Sequence, residues 1–521
     1  MTFGFTRLDR SSPRSVGTRF LTVLFQTCLI SLVLACGQTG QAQDESGKSG
    51  DEAESNQESG SEQESPTATS DEEFRYVAGS RLLSPVSFKF TIPTAHVQKS
   101  DLDVVSTVDQ SGKQVIAKVH CKVGDNYVVL LPNGWLVDRM ADKVQASDRK
   151  FKARSHQDVG REVLANELSR FSGMRIEKSK HYVYLYNTSP GFKTATRGIL
   201  ESMYSGVKGY AKNMGLDTHH PEVPLVVIMF STRAEFRAYR PDIGSGVAAF
   251  YDMVSNQIVL CEESVLADTR PDLARGQLLS TIAHEGAHQI LHNIGVQQRL
   301  SMWPMWMSEG LAEFFAPTSL GNRNRWKGAG EVNDLRMFEL ESFLQTRFLE
   351  GFDGRTINEA VTAGRLDSTG YAKAWSIVHF LVKQRRKKFY ELVVQMSELK
   401  PMRGMVARPD QPVTANLEHF RAFFGEDSQQ FEIDMVEYLG GLADYDSPVA
   451  GFFHYVGLAE VIDDGKAKRY ACFFHTQEKV DAWKAVLEET LAAEGKSIAR
   501  WDVQRANNRA NANVLIGRFL N

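Results

Sequence analysis

Cysteine is scarce, with five in 521 residues, and two of these, Cys28 and Cys36, fall in an apolar N-terminal stretch. Cys121, Cys261 and Cys472 are too few and too far apart for a disulfide framework and leave room for one bridge at most. No Cys-x-x-Cys pair marks a thiolate metal site or a redox site. No apolar run reaches the roughly 20 residues that a spanning helix needs, which sets aside a polytopic membrane protein. Charge of one sign is not in excess either. The net charge is −4, and the excess of acid over base is confined to one short segment, so the main body is close to neutral. A protein built to hold nucleic acid carries a strong basic face, and none is written here. There is no P-loop, no dinucleotide fingerprint and no repeat of regular period. What remains is ordinary: 42% hydrophobic and 24% charged residues, the composition of a globular chain.

The N-terminus reads as an address. Residues 20–36, FLTVLFQTCLISLVLAC, follow Arg7, Arg10, Arg14 and Arg19 and have the length of a signal-peptide core. The sequence Val33-Leu34-Ala35-Cys36-Gly37 resembles the lipobox of bacterial lipoproteins. That resemblance implies cleavage before Cys36, a lipid on its thiol, and a protein of the cell envelope anchored to a bacterial membrane. A secretory signal cut near Gln41-Ala42-Gln43 would instead leave a secreted or periplasmic protein. Residues 37–73 hold eleven acidic residues against Lys48 and no aromatic residue. Such a segment cannot bury enough surface to offset its ordering entropy, so it is expected to be a disordered acidic tether.

Three further stretches differ in character. Residues 74–150 contain short β-prone runs such as QVIAKVHCKV and NYVVLL between turn signals, and predict a small β-rich module. From 151 to 445, two strands (HYVYLYN and PLVVIMF) and a hairpin over 246–262 precede a mainly helical half. Ser231 is expected to cap the helix STRAEFRAY. Residues 446–521 predict a small α/β module, with HYVGLAEV, RYACFFH and a last NVLIGRFL as strands around one amphipathic helix.

Chemistry concentrates in QLLSTIAHEGAHQILHNIG, residues 277–295. On a helix, His284 and His288 lie one turn apart on one face, so both imidazoles reach one cation. Glu285 is rotated about 100° from His284, beside such an ion rather than bound to it, where it can take a proton from water. A hydrolytic metal site wants three protein ligands and one open position. Glu309, twenty-one residues after His288, supplies the third from WPMWMSEGLAEFF. Glu313 falls one turn further on the same face and could fix a histidine ring through its far nitrogen. His292 lies about 12 Å along the helix from His284, too far for one ion to bridge.

The pair His284-Glu285-Gly286-Ala287-His288 and Ser308-Glu309-Gly310-Leu311-Ala312-Glu313 resembles the gluzincin class of zinc metallopeptidases, in a form found in exported bacterial proteins. The resemblance implies a Zn2+ cofactor held by His284, His288 and Glu309, with Glu285 as general base. It also implies a carboxylate outside the ligand set at Glu313. Metzincins require Gly and His where this chain has Leu291 and Ile294, so that class fails. Gluzincins often draw an oxyanion-stabilising Tyr or His from the helical half, and Tyr371 at the head of YAKAWSIVHFL is the candidate; His379 reads as a core histidine.

The fold class expected is therefore α+β. A zincin-like catalytic domain, with a mixed sheet, an active-site helix and a helical subdomain, is flanked by the two small modules. The function expected is zinc-dependent hydrolysis of a peptide or protein substrate, with the run before Asp252 as the edge that pairs with it. The competing expectation is a non-catalytic binding or scaffold lipoprotein with a structural metal site. Three protein ligands with an intact Glu285 weigh against it, since structural sites are usually closed by four.

Overall fold

The computed structural model describes residues 80–521 apart from 245, 320–324, 406–412, 443–444, 446 and 448–451. The expected signal segment 1–36 with Cys36, and the expected tether 37–73, lie outside the described residues. Among the described residues the fold is mixed α+β, with thirteen α-helices and five sheets.

The sheet that carries the site has five strands, in the order Ala249–Asp252, Gln257–Cys261, Leu225–Phe230, Tyr182–Tyr186, Arg175–Lys178. Its three central strands are parallel, with Val226 opposite both Gln257 and Val183. They are buried on both faces, which is why LVVIMF and QIVLC read as unbroken apolar runs rather than alternating ones. The outer two strands are antiparallel, and Ala249–Asp252 forms the expected hairpin with Gln257–Cys261. Arg175–Lys178 gave no signal, since an edge strand of alternating charge has too little apolar content to stand out.

Two long helices lie against one face of this sheet. Pro190–Asn213 starts with Pro at its first position, and the Ser189 side chain accepts a hydrogen bond from the Phe192 N–H. Pro271–Asn293 carries the histidine pair. They meet at Gly286, where an added Cβ would lie 2.4 Å from Leu200 Cδ2. The helix Met305–Phe315 follows and packs on Ser368–Gln384 through Gly310, where a Cβ would lie 2.6 Å from the Ala374 carbonyl oxygen. One apolar core, including Leu200, Ile282, Leu311, Phe314, Trp375 and Met435, unites these helices with the sheet.

The N-terminal β-rich part is a six-stranded sheet built around Gln114–Val123. Its core takes in Val223, Leu300 and Met402 from the rest of the chain. The buried Arg299 guanidinium donates to the carbonyls of Gly134, Met253 and Val254, tying this part to the hairpin turn. The C-terminal part is a three-stranded antiparallel sheet with two helices.

Two expectations are corrected. NVLIGRFL is not a strand but lies in the helix Arg509–Leu520, capped by Asn508, with Ala512 and Ile516 buried one turn apart; the third strand is Ile498–Ala506. Thr232 rather than Ser231 caps Arg233–Tyr239, accepting from the Glu235 N–H, while the Ser231 hydroxyl bonds the Glu235 carboxylate. Of the one bridge that the cysteine count allows, none is formed: Cys121, Cys261 and Cys472 are all free and buried.

Candidate metal centre

The histidine helix and the helix after it are crossed so that three side chains converge. His284 Nε2 and His288 Nε2 lie 3.2 Å apart. Glu309 Oε2 is 3.1 Å from the first and 3.4 Å from the second. In a tetrahedral site with bonds of about 2.05 Å, neighbouring ligand atoms stand about 3.3 Å apart. The observed triangle has those edges, so the donor set fits an ion of that bond length. His284 is buried, while His288 and Glu309 are half-buried.

His284 is held from behind. Glu313, almost fully buried, places Oε1 3.0 Å from His284 Nδ1. Its other oxygen accepts from Asn333 Nδ2 at 2.8 Å, and the same Oε1 accepts from Arg336 Nη2 at 2.8 Å. Asn333 also caps the helix Asp334–Glu350 by accepting from the Arg336 N–H. One residue thus starts that helix and fixes the carboxylate that faces His284.

Burial alone would push the His284 imidazole down. The carboxylates of Glu313 and Glu309 overcome it and hold the ring well above its ordinary value. Glu309 answers in kind: burial raises it, and the two facing histidines bring it far below the carboxylate range. Glu313, desolvated but facing Arg336 and His284, falls to about 2. Glu285 is different. Burial dominates and raises it, and the facing His284 and His288, with the Tyr251 backbone N–H, lower it without reversing the shift.

The structure therefore brings together His284, Glu285, His288, Glu309 and Glu313. Tyr371 also arrives: its ring centroid is 5.9 Å from that of His284, in an edge arrangement, and the Arg336 guanidinium lies 5.2 Å from it on the face. His292 is separate, stacked on Tyr251 at 5.5 Å and depressed by burial to about 3. His379 is a satisfied core residue, 3.2 Å from the Gly330 carbonyl and 2.9 Å from the Tyr438 hydroxyl.

Residues 278–403 match a family described as "Protein of unknown function (DUF1570)". The matched stretch contains every residue of the convergent group and both residues, Arg336 and Tyr371, that stand behind it. No curated protein matches the chain.

Reading the sequence missed Arg336 and Asn333, which carry no motif; the hint was Asn333 placed to cap an amphipathic run. It also missed a second His/Glu group that could hold an ion, Glu341, His454 and His475, all buried. Their separation along the chain hides them. Glu341 Oε2 accepts from the Tyr445 hydroxyl and lies 2.9 Å from His475 Nε2, and Oε1 is 3.9 Å from Arg509 Nε. The two groups differ in charge. Three carboxylates surround the first triangle against one guanidinium, which suits a divalent cation; the second has one carboxylate already faced by Arg509.

Proposed function

We propose that the chain is a zinc-dependent hydrolase, a gluzincin-like peptidase with a zincin-like catalytic domain. The observation that carries this reading is the triangle of His284, His288 and Glu309 donor atoms with 3.1 to 3.4 Å edges, beside a Glu285 that does not belong to it. His284, His288 and Glu309 would hold the ion. When bound, zinc supplies Lewis acidity on the open side of the triangle, towards water and a scissile carbonyl.

The chain's own residues do the rest. Glu285, with its pKa raised by burial, takes a proton from the attacking water and passes it to the leaving amine. Tyr251 lies in Ala249–Asp252, the edge strand of the sheet, so an extended peptide paired along this strand would run past Glu285. Tyr371, whose ring lies 5.9 Å from that of His284, would donate to the developing oxyanion. Lipidation at Cys36 would hold the enzyme at a bacterial envelope membrane, with the acidic stretch 37–73 as its tether; among the described residues no helix is long and apolar enough to cross a membrane.

The test is metal analysis of the purified protein followed by a mixed peptide library. The expected result is about one zinc per chain and cleavage that falls by about two to four orders of magnitude in Glu285→Gln with zinc retained. Zinc without cleavage by the wild type would favour the scaffold reading. Cleavage that survives Glu285→Gln would remove the assigned base.

A further inference from the structure

Arg336 is the third residue of its helix, where the unpaired N–H groups and the helix dipole disfavour a cation. It is nevertheless held there, nearly buried, by two carboxylates: Glu313 at 2.8 Å and Glu339 at 2.7 Å. Glu339 in turn accepts from the Ser368 hydroxyl at 2.6 Å, at the start of the helix that carries Tyr371. The guanidinium thus has three neighbours: the carboxylate that faces His284, the carboxylate that ties down the Tyr371 helix, and the Tyr371 ring itself at 5.2 Å. A planar five-donor fork can meet all three at once, and a lysine ammonium cannot.

We propose that Arg336 is a positioning residue that sets, from one guanidinium, both the orientation of the His284 ring, acting through Glu313, and the placement of Tyr371 over the site. Only the Tyr371 half rests on the hydrolytic reading; the His284 half stands on metal binding alone. A carboxylate behind a ligating histidine fixes the ring and raises its basicity, and removing such a partner typically costs 10- to 100-fold in metal affinity. Arg336 holds that carboxylate in place.

The experiment uses the full chain stripped of metal and titrated with Co2+, whose visible absorption reports ligand geometry. Arg336→Met is expected to lose about 10- to 100-fold in Co2+ affinity and to change the absorption of the bound ion. In a Glu313→Gln background the same substitution is expected to add little, because the path is already cut. Arg336→Lys, which keeps the charge but not the fork, is expected to fall between wild type and Arg336→Met. Wild-type affinity and absorption in Arg336→Met, or in Arg336→Lys should the Met variant not fold, would overturn the proposal. So would a loss that is undiminished by Glu313→Gln. For the Tyr371 half, cleavage by Arg336→Lys saturated with metal is expected to lose kcat with KM unchanged, and no such loss once Tyr371→Phe is present. A wild type that binds Co2+ but cleaves nothing would fail the hydrolase reading while leaving the His284 arm decisive.

Discussion

His284 is the residue where charge, burial and function meet. In the metal-free protein its ring is desolvated, yet Glu313 and Glu309 hold its pKa well above the ordinary value. The sign of the linkage follows. A group whose folded pKa is raised stabilises the fold fully below its unfolded pKa, about 6.5, and loses that contribution as pH rises through the folded value. A metal ion binds the neutral ring and must displace that proton, so affinity should fall as pH drops through the same window. Calorimetry of Zn2+ binding in buffers of different ionisation heat is expected to show proton release near neutrality. Affinity that is flat from about pH 6 to about pH 8 would contradict this account. Glu285 moves in the other direction from Glu309 and Glu313, although all three are carboxylates within one cluster. The first lacks a cationic partner strong enough to offset burial, which is what a proton acceptor requires and a ligand does not.

At the scale of elements, the two glycines of the motifs are packing devices, and their neighbours set different costs. A Cβ at Gly286 would meet Leu200 Cδ2, the end of a side chain that can turn away. A Cβ at Gly310 would meet the Ala374 carbonyl oxygen at 2.6 Å and Val378 Cγ2 at 2.7 Å, and backbone cannot turn away. Gly310→Ala is therefore expected to destabilise by about 1–3 kcal/mol or more and to separate Glu309 from the histidines, with Gly286→Ala at the low end of that range. Urea denaturation of both variants, with Co2+ affinity measured alongside, checks the order; equal losses would show that the two helix contacts give way alike. These elements also show what a sequence discloses. The histidine and glutamate helices were legible because their spacing is set by helical geometry and needs no partner to be seen. The central strands were legible as apolar runs because burial on both faces leaves no alternation. Arg175–Lys178 and Ile498–Ala506 were not, since edge strands rich in charge owe their state to the neighbour they pair with. NVLIGRFL misled for the converse reason: a short apolar run fits either state, and its Asn508 cap decided it. Arg336 was invisible because its role depends on which helices meet, and that is settled only by the packed core.

For the molecule as a whole, the question is how the C-terminal sheet is held to the helical half. Glu341, on Asp334–Glu350, is the knot: His475 and Arg509 reach it from the C-terminal part and Tyr445 from the connecting chain. The backbone N–H of His475 adds a 3.0 Å bond to Gln345 on the same helix. Burial would raise the Glu341 carboxyl, yet its histidine and arginine neighbours hold it far below the usual range, so it stays ionised in a place where an unpaired charge is costly. Breaking a buried pair by removing one partner typically costs about 3–5 kcal/mol, because the other charge is left behind. Glu341→Gln removes the carboxylate that faces the buried His475 and Arg509. The same helix begins with Asn333 and Arg336, which serve the candidate metal centre, so one rod carries the determinants of both regions. The variant is expected to unfold with the C-terminal part detaching first. This would appear as an early transition in urea, with Zn2+ affinity within a few-fold of wild type. If the loss of Glu341 instead abolished metal binding while the C-terminal part stayed attached, the second His/Glu group would have to be read as coupled to the first site rather than as a joint between two parts of the fold.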